Sequence, residues 1–108
     1  MTKIVGLRLR GKVIGIEPGM VIGYADREVV GAWEKVELTK RDDGKYTARF
    51  VAANRYLTIT PDGVWESRVS PGAWEEFYCA EQPPDFALIF LYSAQHPTVA
   101  VLTVEVLG

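Results

Sequence analysis

The tetrapeptide Gly-Ala-Trp-Glu occurs twice, as Gly31-Ala32-Trp33-Glu34 and, at an offset of 41, as Gly72-Ala73-Trp74-Glu75. An apolar residue follows two positions after each Glu, Val36 and Phe77. Upstream, Val13-Ile14-Gly15-Ile16-Glu17-Pro18 aligns with Tyr56-Leu57-Thr58-Ile59-Thr60-Pro61 at an offset of 43, and Val21-Ile22 aligns with Val64-Trp65 at the same offset. A two-residue difference between the blocks reconciles the offsets. A hairpin and a tetrapeptide recurring in the same order point to a duplicated structural unit, and duplication restricts the architecture more than any local propensity does.

The units read as short strands separated by turns. In the first, Ile4 to Arg10, Lys12 to Ile16, Met20 to Tyr24 and Trp33 to Leu38 have strand patterning. In the second, Tyr46 to Ala52, Tyr56 to Thr60, Val64 to Arg68 and Trp74 to Cys79 repeat the plan. Phe86 to Tyr92 and Thr98 to Val106, joined around Ser93 to Pro97, complete the chain. Glu17-Pro18-Gly19, Asp42-Asp43-Gly44, Pro61-Asp62-Gly63 and Ser70-Pro71-Gly72 are turns, because Pro presets φ and Gly accepts positive φ. Ala53-Asn54-Arg55 turns the chain, and Glu81 to Asp85 forms a loop. No helix longer than a turn is expected. Closely spaced short strands of this kind predict a barrel or sandwich. With 108 residues, the chain is expected to form one domain with a core of its own, its units spanning about 4–40, 45–82 and 86–107.

The second unit resembles a family. Tyr46 to Trp65, followed by Pro71-Gly72-Ala73-Trp74-Glu75-Glu76-Phe77, is similar to one unit of a fascin-like β-trefoil. Such units run strand, Asn/Gly turn, Tyr-Leu strand, Asp-Gly turn and a Gly-x-Trp-Glu-x-Phe ending. Leu7 to Leu38 matches more loosely, and the final stretch lacks both the Trp motif and a hairpin turn. The resemblance implies an all-β, β-trefoil-like barrel of short antiparallel strands with internal repeats, the third repeat shortened. An incompletely closed barrel would leave strand edges to be covered, and self-association is one way to cover them. The resemblance also assigns Trp33, Trp74 and Tyr56 to the structural framework; Glu34, Glu75 and Phe77 are placed there with them, the two Glu side chains accepting hydrogen bonds from nearby backbone or a basic side chain at the corner before each closing strand. Actin bundling by animal fascins maps onto no residue here.

Ligand-binding candidates lie on the second hairpin. Trp65, beside Glu66 and Arg68, could form a platform for a sugar ring or a protein hot spot, and the alternative is that it fills the barrel floor. Tyr24 and Arg68 join it as candidates. Catalytic chemistry finds little support. His96, the single histidine, precedes Pro97 in a loop, and neither Asp42-Asp43 nor Glu75-Glu76 is placed as an acid and base pair. Cys79 is the only cysteine, so the chain forms no internal disulfide, and with one histidine it has no His/Cys metal cluster. No cofactor is expected.

Residues 1–54 carry ten basic and seven acidic side chains, and residues 55–108 carry two and seven. The overall charge is −2, which disfavours nucleic acid as a partner. Opposite faces could pair between subunits if the halves stay apart in the fold. No apolar run reaches the roughly 18 residues of a membrane helix, so no membrane insertion is expected. The first residues lack a signal-peptide pattern, which fits cytoplasmic synthesis and a place in a virion. The expected function is a non-catalytic module binding a carbohydrate or protein surface through barrel loops. Its rival is an assembly protein, such as a phage or cell-surface particle subunit, acting as a homo-oligomer.

Overall fold

The computed structural model describes residues 2–62, 65–82, 87–98 and 101–107. The expected strand starts at Val64 and Phe86, Gly63 of the second hairpin turn, Pro83 to Asp85 of the loop, and residues 99 and 100 of the last strand fall outside these. Among the described residues, ten strands follow in chain order: β1 (Thr2–Leu9), β2 (Lys12–Gly15), β3 (Tyr24–Arg27), β4 (Val36–Lys40), β5 (Tyr46–Phe50), β6 (Arg55–Ile59), β7 (Trp65–Arg68), β8 (Phe77–Gln82), β9 (Ala87–Ser93) and β10 (Val101–Val106). Two 3-10 turns, Ala32–Glu34 and Ala73–Glu75, precede β4 and β8. Among the described residues, no helix is long and apolar enough to cross a membrane.

Six strands close an antiparallel barrel in the order β1, β10, β9, β8, β5 and β4, with β4 returning to β1. Side chains alternate across a strand, so every second residue points inward. Val5 and Leu7, Val36 and Leu38, Tyr46, Ala48 and Phe50, and Leu102 and Val104 supply that inner face. Phe77 and Leu91 complete it from β8 and β9. The hairpins β2–β3 and β6–β7 continue from the ends of β1 and β5 through the pairs Leu9↔Lys12 and Phe50↔Arg55. Both lie at the end where β4 begins, since Val36 of β4 pairs with Val5 of β1 and Phe50 of β5. Ile14, Ile16, Leu57 and Ile59 carry the core into the hairpins. Between β9 and β10, the described residues 94–98 form only bends and a turn.

Three expected strands differ from the observed ones. Met20 to Gly23 is loop rather than strand, and Met20 N–H donates to Glu17 O in the turn at 3.0 Å. Trp33 and Trp74 do not open strands. Each lies in a 3-10 turn, because the Glu that follows folds back onto the amide of the preceding Gly. An extended backbone could not bring those groups together.

The register explains the two-residue difference in repeat spacing. In β6–β7, Tyr56 pairs with Arg68, Leu57 with Ser67 and Thr58 with Glu66. In β2–β3, Val13 pairs with Arg27, Ile14 with Ala25 and Gly15 with Tyr24. Asp26 is extra, held in a bulge between the first two pairs. The other added residue sits in the longer loop from Ile16 to Gly23. Arg27 therefore occupies the place of Arg68, and Gly23 rather than Ile22 stands where Trp65 does.

The charge asymmetry of the sequence is organised by the barrel. The basic half contributes the neighbours β1, β4 and β5, and the acidic half contributes β8, β9 and β10. Ion pairs cross both seams: Arg8 to Glu105 at 3.0 Å, and Arg41 and Lys45 to Glu76 at 2.7 and 3.6 Å. Opposite charges thus meet within the molecule, although such surface pairs each contribute only about 0–1 kcal/mol.

Candidate functional site

Each Gly-Ala-Trp-Glu segment divides its work between an inward carboxylate and an outward indole. Glu34 and Glu75 are 6% and 3% exposed. Gly31 N–H donates to Glu34 Oε1 at 2.8 Å, and Gly72 N–H donates to Glu75 Oε1 at 2.6 Å. In return, the Glu amides donate to the Gly carbonyls, both at 3.2 Å. This reciprocal pair fixes the turn. Glycine at its start leaves room for the carboxylate: a Cβ would lie 2.7 Å from Glu34 Oε1 on Gly31 and 3.2 Å from Glu75 Oε1 on Gly72.

A hydroxyl satisfies the second carboxylate oxygen in both copies, and the donor differs. Thr58 Oγ1, on β6, donates to Glu75 Oε2 at 2.8 Å. The matching residue on β2 is Gly15, which has no side chain. Its cross-strand partner Tyr24 reaches over it and donates its hydroxyl to Glu34 Oε2. Burial, and then the bond to Glu34, pushes the Tyr24 phenol up to about 12. The Arg27 guanidinium lies 4.7 Å from the centre of the same ring.

Trp33 and Trp74 are 41% and 36% exposed. Beside each is an open cleft. One, of about 380 Å³, is lined by Arg68, Gly72, Ala73, Trp74 and Glu75. The other, of about 350 Å³, is lined by Arg27, Ala32, Trp33 and Glu34. Arg68 lies over the Trp74 indole at 5.6 Å and is 3.3 Å from Glu66 and 3.9 Å from Glu75. Arg27 is 3.7 Å from Asp26. The clefts are shallow surfaces built from one indole and one guanidinium, with a buried carboxylate behind.

The structure places the sequence candidates as follows. Arg68 lies in the Trp74 cleft. Tyr24 stands behind the Trp33 cleft with its hydroxyl committed to Glu34. Trp65 is half-buried, stacks on Phe50 with ring centres 5.8 Å apart, and covers the Cα of Gly23. Phe77 is fully buried and Tyr56 half-buried. Arg27 is the cleft residue that sequence spacing missed, because the bulge at Asp26 hides its equivalence to Arg68. His96 packs its ring edge-on to Trp74 at 5.9 Å, and its amide donates to Ser93 Oγ at 3.0 Å. Among the described residues, no group of three His, Cys, Asp or Glu side chains is arranged to hold a metal ion. No protein-family model and no curated protein matches this sequence.

Proposed function

We propose that the chain is a β-trefoil whose third unit is reduced to its two barrel strands, and that it serves as a non-catalytic carbohydrate-binding module. The six-stranded barrel with two hairpins at one end supports the trefoil reading, since a third hairpin between β9 and β10 would complete a threefold arrangement. One observation carries the binding reading. At two matched positions an exposed indole lies beside an exposed guanidinium in an open cleft. An indole face suits the C–H face of a sugar ring, and the guanidinium and nearby backbone supply hydrogen bonds to its hydroxyls. The ligand site proposed is thus Trp33 with Arg27 and Trp74 with Arg68, and the role of Trp65 is to cap the core.

The test is titration with a neutral oligosaccharide panel, followed by the indole N–H signals of Trp33 and Trp74. Each of Trp33→Ala and Trp74→Ala is expected to weaken binding at its own cleft about tenfold or more, the loss of roughly 1.4 kcal/mol or above typical of an aromatic anchor. Binding that survives the double variant undiminished refutes the assignment.

The assembly reading is favoured by a separate observation. Met20, Val21 and Ile22 are consecutive and all about half exposed or more, with Ile22 at 62%. They lie in the loop of the first hairpin, at the end of the barrel where β4 begins. If they bury against a second copy, light scattering at high concentration gives a dimer or larger, and Ile22→Glu returns it to monomer. A monomer at every concentration removes this reading.

A further inference from the structure

We infer that both clefts select uncharged polyhydroxylated ligands and discriminate against acidic and basic ones. This deepens the carbohydrate reading and rests on it. The ligand would meet an exposed donor whose charge is already balanced. The side chains of Arg68 and Arg27 are 49% and 52% exposed, so their N–H groups are available to ligand oxygens. Behind Arg68 stand Glu75 at 3.9 Å and Glu66 at 3.3 Å. Behind Arg27 stand Asp26 at 3.7 Å and Glu34 in the cleft wall. Each cleft is therefore lined by one guanidinium and one buried carboxylate, and a second carboxylate lies against the guanidinium from outside the lining.

That arrangement disfavours both kinds of charged ligand, for different reasons. A sulfate or uronate would approach a cluster with a net negative charge, in which Arg68 is shared between Glu66 and Glu75 and Arg27 is paired with Asp26. A basic ligand at the Trp74 indole would meet the like charge of the Arg68 guanidinium, 5.6 Å from the ring centre. In the other cleft the outward group beside Trp33 is again a guanidinium. Moreover, the buried carboxylates are occupied by the Gly amides and the hydroxyls of Thr58 and Tyr24, so they are not free to receive a ligand cation. Neutral hydroxyl, ring and acetamido oxygens accept from the guanidinium without adding charge.

The experiment titrates the intact chain with three probes: a mixture of neutral oligosaccharides with glucose, galactose, mannose and N-acetylglucosamine ends, the same mixture after chemical sulfation, and an oligolysine peptide. The readout is the pair of indole N–H signals from Trp33 and Trp74. The neutral mixture should move both signals, with an affinity that changes less than about twofold between low and high salt, as expected when no net charge is neutralised. Sulfation should weaken binding at least about tenfold, as expected when a like charge enters a partly desolvated site. Glu66→Gln, which removes a half-exposed carboxylate beside Arg68, should narrow that gap at Trp74 and leave it unchanged at Trp33. Tighter, salt-sensitive binding of the sulfated mixture or the peptide at these indoles overturns the selectivity and leaves the clefts as binding sites. Silence of both indoles toward all three probes overturns the selectivity together with the carbohydrate reading.

Discussion

Trp65→Ala is expected to destabilise the fold by about 3 kcal/mol, within the range for removing a large aromatic from a packed site. The indole stacks on Phe50 at an interplanar angle of 30° and packs against the core. Its outer edge fills the space above Gly23, where an added Cβ would fall 2.1 Å from Cη2 of the ring. Gly23, which faces that edge, has no side chain to refill the volume. For a domain of this size the change lowers Tm by on the order of 10 °C or more. Below that temperature, ligand binding at Trp33 and Trp74 should be unaffected. The more exposed indoles behave differently: Trp33→Ala and Trp74→Ala should each cost less than Trp65→Ala, since over a third of each residue is already in water. Denaturant unfolding of the three variants decides the matter. A stable Trp65→Ala that no longer binds ligand would return the binding site to the second hairpin.

The second large effect concerns the exchanged hydroxyl. Tyr24→Phe leaves Glu34 Oε2 buried without its hydroxyl donor, at an expected cost of about 1–3 kcal/mol. Restoring the donor from the other strand should recover part of this. Gly15 stands where Thr58 stands in the second hairpin, and a Cβ there lies 2.8 Å from the Tyr24 hydroxyl oxygen and 2.8 Å from Glu34 Cγ. Gly15→Ser alone should therefore destabilise by crowding. Combined with Tyr24→Phe it should destabilise less than the two changes added together, a coupling that a double-mutant cycle measures. Additive effects would show that the two residues do not serve one carboxylate.

The same hydroxyl predicts an alkaline limit. The Tyr24 phenol is raised in the folded state to about 12 from an ordinary value of 10.0. The unfolded chain loses this proton first, so the stabilisation is complete below about pH 10 and is lost as pH rises toward 12. Stability measured across that window should fall for the parent, with the Tyr24 share of the decline missing in Tyr24→Phe. An unchanged decline in the variant would assign it to other groups.

Much of the barrel is legible in the sequence because strands and turns are set by local chemistry. Alternation at Val5 and Leu7 places the inner face of β1, and Asp42-Asp43-Gly44 marks the reversal between β4 and β5, with Gly44 at φ +85°. The repeated motif also announces that two segments will fold alike. What the motif does with its side chains is less legible. Tryptophan is the residue whose burial composition would favour, yet Trp33 and Trp74 face out while Glu34 and Glu75 face in. A Gly amide and a hydroxyl are available to each carboxylate inside, so its burial is compensated; both hydroxyls come from residues remote in sequence. The pairing of Arg27 with Arg68 is hidden for a related reason. A bulge shifts register without leaving a gap that identity alone can locate.

The duplicated Gly-Ala-Trp-Glu, the strand periodicity and the turn residues were determined by the sequence itself, since each depends on neighbours only a few positions away. Three features were decided by tertiary structure alone: closure of the wall by β1 and β4, the burial of Trp65 over Gly23, and the replacement of the Thr58 hydroxyl by that of Tyr24. Each depends on atoms brought together from distant strands, where available space and unsatisfied hydrogen bonds, and not residue type, determine which side chain turns inward.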